Sequence, residues 1–141
     1  MSNSTEEQAT KKIKMTDRTI INSAGAPAAI GPYSQAVKAN GMIYCSGCLG
    51  MDPTTKKLVE GGVQAETRQV LDNMKAILEE AGSSMSKVVK CTVLLQDMAL
   101  FAEVNSIYGE YFPSEPPARM TFAVAGLPLG GLVEIDCIAI A

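Results

Sequence analysis

Between Val63 and Leu95 the spacing of apolar side chains switches from three and four residues to two, and this switch fixes what the middle of the chain can become. Val63, Val70, Leu71, Met74, Ile77, Leu78 and Ala81 form one stripe on a helix over 63–81, and Gly82 supplies the backbone freedom that ends it. Over 88–95 the period is that of a strand. Val89, Cys91, Val93 and Leu95 are expected to face one way, and Val88, Lys90, Thr92 and Leu94 the other. A helix feeding a strand with apolar residues on both sides calls for a sheet covered on one face by helices.

The flanking segments extend the pattern. Residues 19–21 read as a short first strand, and the Gly- and Pro-rich run 24–33 as a shaped loop. Segments 36–39 and 42–47 flank Asn40-Gly41, whose tolerance of positive φ suits a two-residue hairpin turn. A polar connection over 51–57 leads to Gly61-Gly62 and the helix. Asp97 is placed to cap a second helix running through Phe112, with Phe101, Val104, Tyr108 and Tyr111 on its inner face, before Pro113 and Pro116-Pro117 end it. Residues 121–125 and 132–140 read as the last two strands, around a turn at 127–131. The expectation is an α+β fold, a mixed sheet of six strands with both helices on one face. A polar tail over 1–15 is expected to be disordered, with one domain over 16–141.

Composition narrows the function. In 141 residues, 47% apolar and only 19% charged, part of the surface is expected to meet another subunit. A net charge of −3 gives no general attraction to phosphate backbones, which disfavours nucleic acid as a partner. No apolar run approaches the roughly 20 residues that span a bilayer, so no membrane partner is expected. The first fifteen residues lack the apolar core of a signal peptide and mix Glu6 and Glu7 with Lys11, Lys12 and Lys14, unlike an arginine-rich transit peptide. A cytoplasmic location is expected, with a mitochondrial one left open.

The chain has no histidine, which removes Ser-His-Asp and Cys-His mechanisms. Cys45, Cys48, Cys91 and Cys137 lie in or beside aliphatic runs and read as buried, reduced thiols. Cys45-Ser46-Gly47-Cys48 has C-x-x-C spacing, but it sits in a strand-like segment without a second ligand pair, which opposes a zinc or redox role. What remains is Pro117-Ala118-Arg119 followed by Val133-Glu134-Ile135-Asp136. Arginine offers a planar fork that can hold a carboxylate by two parallel bonds. A glutamate among apolar neighbours loses hydration, and its proton affinity rises. The pair points to chemistry on a small carboxylate, with a structural ion pair as the plain alternative.

Three separated motifs carry a resemblance. The run Ala26-Pro27-Ala28-Ala29-Ile30-Gly31-Pro32-Tyr33-Ser34-Gln35-Ala36, then Ser46-Gly47, then Pro117-Ala118-Arg119 with Val133-Glu134-Ile135, resembles the reactive-intermediate deaminase family, RidA of the YjgF type, from about Thr19 to the last residue. The resemblance implies a homotrimer of chorismate-mutase-like subunits with a site in each cleft between neighbours. It implies hydrolysis of reactive 2-imino and enamino acids, such as 2-iminobutanoate and 2-iminopropanoate, to 2-oxo acids and ammonia. Pyridoxal-phosphate enzymes would supply these substrates, and no metal or organic cofactor is called for. On the same footing, Arg119 grips the substrate carboxylate and Glu134 orders water and moves protons. Tyr33, Ser46, Thr121 and Asn105 match positions that line or adjoin the pocket, and Lys90 falls at a position that is often basic.

The chain departs from the family at two places. Thr121 stands where many relatives carry cysteine, so a thiol nucleophile is unavailable there and the position can serve through its backbone. Cys48 stands where many carry glutamine. Two other readings stay open: an RNA-cleaving inhibitor of translation, and a non-catalytic trimer that binds keto acids or acts like a chaperone.

Overall fold

Asn40 and Gly41 adopt φ of 51° and 73°, the left-handed pair that a tight hairpin needs. They join β2 (Ala36–Ala39) to β3 (Met42–Leu49) with Ala39 opposite Met42, and β1 (Arg18–Ile21) adds antiparallel to β2. This computed structural model of the protein describes residues 17–141, so the tail expected over 1–15 lies outside the described residues.

The long helix α1 (Gly62–Glu80) follows the predicted stripe, with Val63, Val70, Leu71, Met74, Ile77 and Leu78 buried. Gly82, at φ 82°, ends it: its N–H donates to the Glu79 carbonyl at 3.0 Å, and the Ser83 N–H donates to that of Leu78 at 2.8 Å. Strand β4 (Val88–Leu95) begins with a bulge between Val88 and Lys90 that corrects the expected facing. Val88 is buried and Val89 is exposed, because an inserted residue reverses every side chain before it. Beyond the bulge Cys91, Val93 and Leu95 enter the core as expected.

The second helix starts differently from the sequence reading. Asp97 accepts the Ala99 N–H at 2.8 Å and caps a 3-10 turn over Met98–Leu100, and α2 (Phe101–Tyr111) continues from there. Its inner face is Val104, Ile107 and Tyr108, while Phe101 and Tyr111 sit half-buried at the rim. Strand β5 (Ala118–Ala123) begins three residues before the expected start, since pairing of Ala118 with Lys90 recruits the segment directly after the prolines. Strand β6 (Val133–Ile140) closes the fold.

The strand order is β1-β2-β3-β6-β4-β5, parallel only between β4 and β5. Consecutive β5 and β6 are therefore not neighbours. The helical crossover returns β5 parallel to β4, and β6 fills the space between β3 and β4. Val133, Ile135, Cys137 and Ala139 alternate into the core with the buried side of α1. On the uncovered side Ile20, Tyr44, Met120, Phe122 and Ile140 remain 42–51% exposed. All four cysteines are free and buried, Cys45 and Cys91 each standing opposite Cys137. Among the described residues no helix is long and apolar enough to cross a membrane.

Candidate active site

Arg119 lies on the edge strand β5 directly opposite Cys91, so its side chain leaves the sheet on the helix-covered face. There it meets α2. Its Nη1 donates to Asn105 Oδ1 at 2.7 Å, and its Cζ stands 4.8 Å from the Tyr108 ring centroid and 5.6 Å from that of Phe101. Residues 101, 105 and 108 share one helix face, which is why two successive turns of α2 supply all three contacts. Thr121 projects from the same side of β5, its hydroxyl buried and without a partner. Among the described residues no carboxylate pairs with Arg119; the ion pair present is Arg68 with Glu110. The fork therefore keeps donors for a planar anion.

Glu134 stands on β6 between Leu49 and Leu94, on the face away from the helices. A bulge in β3 between Cys45 and Cys48 takes Ser46 and Gly47 out of the ladder and brings them beside it. The approach is close: a Cβ on Gly47 would lie 3.0 Å from the Glu134 Cδ. Burial, and then the negative charge of Asp136, raise the Glu134 pKa above the ordinary carboxylate value. Ser46 donates its hydroxyl to the Ser34 carbonyl at 2.6 Å, and the half-exposed Tyr33 hydroxyl accepts the Ile30 N–H at 3.3 Å. A cavity of about 50 Å³ lies behind them, lined in part by Pro27, Ile30, Tyr33, Ser46 and Gly47.

Gln35 shapes this region and was not singled out from sequence. Its amide donates to the carbonyls of Ser23 at 3.1 Å and Pro27 at 2.8 Å, and accepts the Ser23 N–H at 2.6 Å. One buried side chain thus holds the ends of the Pro-rich loop together. The available signal was its place near the end of the Ala26–Ala36 motif, where no local feature marks the amide as the group that pins the loop.

A family profile described as Endoribonuclease L-PSP matches residues 23–141. The chain belongs to this family, the RidA family of the motifs above. It is 54% identical over 123 residues to a bovine protein named 2-iminobutanoate/2-iminopropanoate deaminase, covering 87% of this chain and 90% of that one. It is 50% identical to the Arabidopsis thaliana chloroplastic Reactive Intermediate Deaminase A, over 86% of this chain and 65% of that longer protein. The crystal structure of RidA from the Antarctic bacterium Psychrobacter sp. superposes with a TM-score of 0.85 at 46% identity, covering 87% of this chain and 99% of that one. That of Escherichia coli TdcF with bound serine gives 0.83 at 36% identity, covering 87% and 98%.

Within the single chain of this RidA-family protein the six expected site residues fall into two groups. Arg119, Asn105 and Thr121 gather against α2. Tyr33 and Ser46 line the cavity at the β3 bulge, and Glu134 adjoins the bulge at Gly47. Along β4, Arg119 is opposite Cys91 and Glu134 opposite Leu94, three residues on and with β4 between their strands. Two strand spacings across and three residues along separate the two backbones by about 14 Å, with the side chains on opposite faces. One chain alone does not bring Arg119 to Glu134. Lys90 is exposed and belongs to neither group.

Proposed function

We propose that this protein is a cofactor-independent deaminase that hydrolyses 2-imino acids, 2-iminobutanoate and 2-iminopropanoate among them, to 2-oxo acids and ammonia. The observation that carries the reading is the Arg119 fork, fixed by Asn105 and two aromatic rings yet without a carboxylate of its own. The relatives named as deaminases give the reaction that such a receptor would serve.

A 2-imino acid is already electrophilic at C2, so positioning does most of the work. Arg119 docks the carboxylate, and Thr121 lies beside it. Glu134, with its raised proton affinity, accepts a proton from water as the oxygen attacks C2. The carbon–nitrogen double bond becomes a carbinolamine. The proton taken from water completes the amine of the carbinolamine; the hydroxyl proton then passes to that nitrogen, the C–N bond breaks, the ketone forms and ammonia leaves, so both protons of the one water consumed end on nitrogen. Orientation can contribute about 7–11 kcal/mol and general acid-base help about 10²–10⁴-fold, which is ample for so labile a substrate.

The same reading needs an assembly. A 50 Å³ cavity holds little more than a water or two, far below the roughly 300 Å³ at which small-molecule sites begin. The apolar face bearing Tyr44, Met120 and Phe122 is the natural surface for burial between copies. We take the functional unit to be a homotrimer in which the Arg119 group of one subunit meets the Glu134 group of the next. The supplying enzymes are of the pyridoxal-phosphate class, whose eliminations release enamines that tautomerise to imines.

The test couples a pyridoxal-phosphate threonine dehydratase to ammonia detection with and without this protein. Faster ammonia release from the free imine is expected. No acceleration at any protein concentration would sink the reading. The family's description as an endoribonuclease makes RNA cleavage the rival. A net charge of −3 opposes it, and nuclease activity that fell in step with Arg119→Ala would favour it.

A further inference from the structure

We propose that Tyr108 is a positioning residue for this reaction: the face of its ring sets the height and tilt of the Arg119 guanidinium so that the fork meets the substrate carboxylate in plane. The inference rests on Arg119 being the carboxylate receptor. Asn105 holds one nitrogen, Nη1, and a single hydrogen bond leaves a guanidinium free to rotate about that contact. A second constraint of another kind is needed. The Tyr108 ring supplies it at 4.8 Å, within the range where a cation is attracted to a ring face.

The ring is itself immobilised. Tyr108 is 6% exposed, and its centroid is 4.7 Å from that of Phe112 at an interplanar angle of 42°. Phe101 also stands over the arginine, at a longer 5.6 Å, and is only half-buried, so it is the weaker wall. The Tyr108 hydroxyl is buried beside the Cys91 thiol without a well-formed hydrogen bond. Burial pushes that thiol up to about 11, so it is uncharged near neutrality. A buried hydroxyl without a good partner is a cost that phenylalanine would avoid, so the ring face and not the hydroxyl is the part that serves Arg119.

The experiment compares Tyr108→Phe with Tyr108→Leu, reading KM and kcat for imines generated in situ and the dissociation constant of 2-oxobutanoate by calorimetry. Tyr108→Leu should raise both KM and that dissociation constant about 3- to 30-fold with kcat nearly unchanged, because a docking contact is lost equally from ground and transition states. Tyr108→Phe should restore both constants to within about twofold of the parent. A folded Tyr108→Leu with both constants unchanged overturns the proposal, as does a Tyr108→Phe equal in effect to Tyr108→Leu. Should Tyr108→Leu not fold, Tyr108→Met, which keeps the apolar volume but not the ring face, carries the same measurement: a rise in both constants supports the proposal and no rise overturns it. The binding arm separates this inference from the reaction. A parent protein that binds 2-oxobutanoate but releases no extra ammonia fails as a deaminase while the variants still decide the role of Tyr108. A parent that binds no 2-oxobutanoate and releases no extra ammonia overturns both.

Discussion

Arg119 and Glu134 stand on opposite faces of one sheet, separated by the whole width of β4 and three residues of register. If the two cooperate, they do so across a subunit boundary. Mixing subunits tests this directly. Arg119→Ala and Glu134→Gln proteins should each be inactive, yet co-assembled trimers should recover about a quarter of parental activity, the share of clefts that receive both intact groups by chance. Recovery absent from verified mixed trimers would place both groups of each working site in one subunit.

Replacing Arg119 by lysine keeps the charge but loses the fork, the Asn105 bond and the stacking on Tyr108. Charge-assisted bonds of this kind are worth about 1.5–3 kcal/mol each, so Arg119→Lys should lower kcat/KM for the imine about 10- to 100-fold or more. Steady-state ammonia release measures it. Parental activity in the lysine variant would mean that a point charge suffices.

Glu134 gives a pH signature. Its folded-state pKa is raised, first by burial and then by Asp136, so the neutral form favours the fold. That stability is present below the unfolded pKa and is lost as pH rises through the folded one. Melting profiles should therefore show Glu134→Gln gaining on the parent as pH rises through that window. If the carboxylate is the base, activity rises over the same interval, and Asp136→Asn should move the acid limb to lower pH. An acid limb unmoved by Asp136→Asn would assign it to another group.

Gly47 and Gly50 separate function from folding. A methyl at Gly47 would press on the Glu134 carboxylate, 3.0 Å from Cδ, and a flexible side chain can swing aside. Gly47→Ala should fold and lose most activity. At Gly50 the same methyl would lie 2.8 Å from the Glu66 Cα and carbonyl oxygen, in the backbone of α1, which cannot yield locally. Gly50→Ala should lose about 1–3 kcal/mol of stability in a denaturant titration. Equal stability in the two variants would contradict this placement.

Phe122 is 42% exposed on the sheet face that carries no helix. Phe122→Glu should place a charge in the contact between copies, yielding monomers by light scattering and, with them, loss of activity. An intact, active trimer would move the interface elsewhere.

Much of this molecule is written locally. The α1 stripe, the Gly82 stop and the Asn40-Gly41 turn each depend on dihedral preferences within a few residues, and each stands where the sequence puts it. The Arg119 and Glu134 motifs were legible for the same reason, as residue types in a fixed local frame. The bulge that buries Val88 in place of Val89 was not, because a bulge is defined against a partner strand. Nor was the insertion of β6 beside β4, which separates Arg119 from Glu134, or the seat of Arg119 on Tyr108. Strand order and facing are settled by pairing between segments far apart in the chain, and no local preference encodes them.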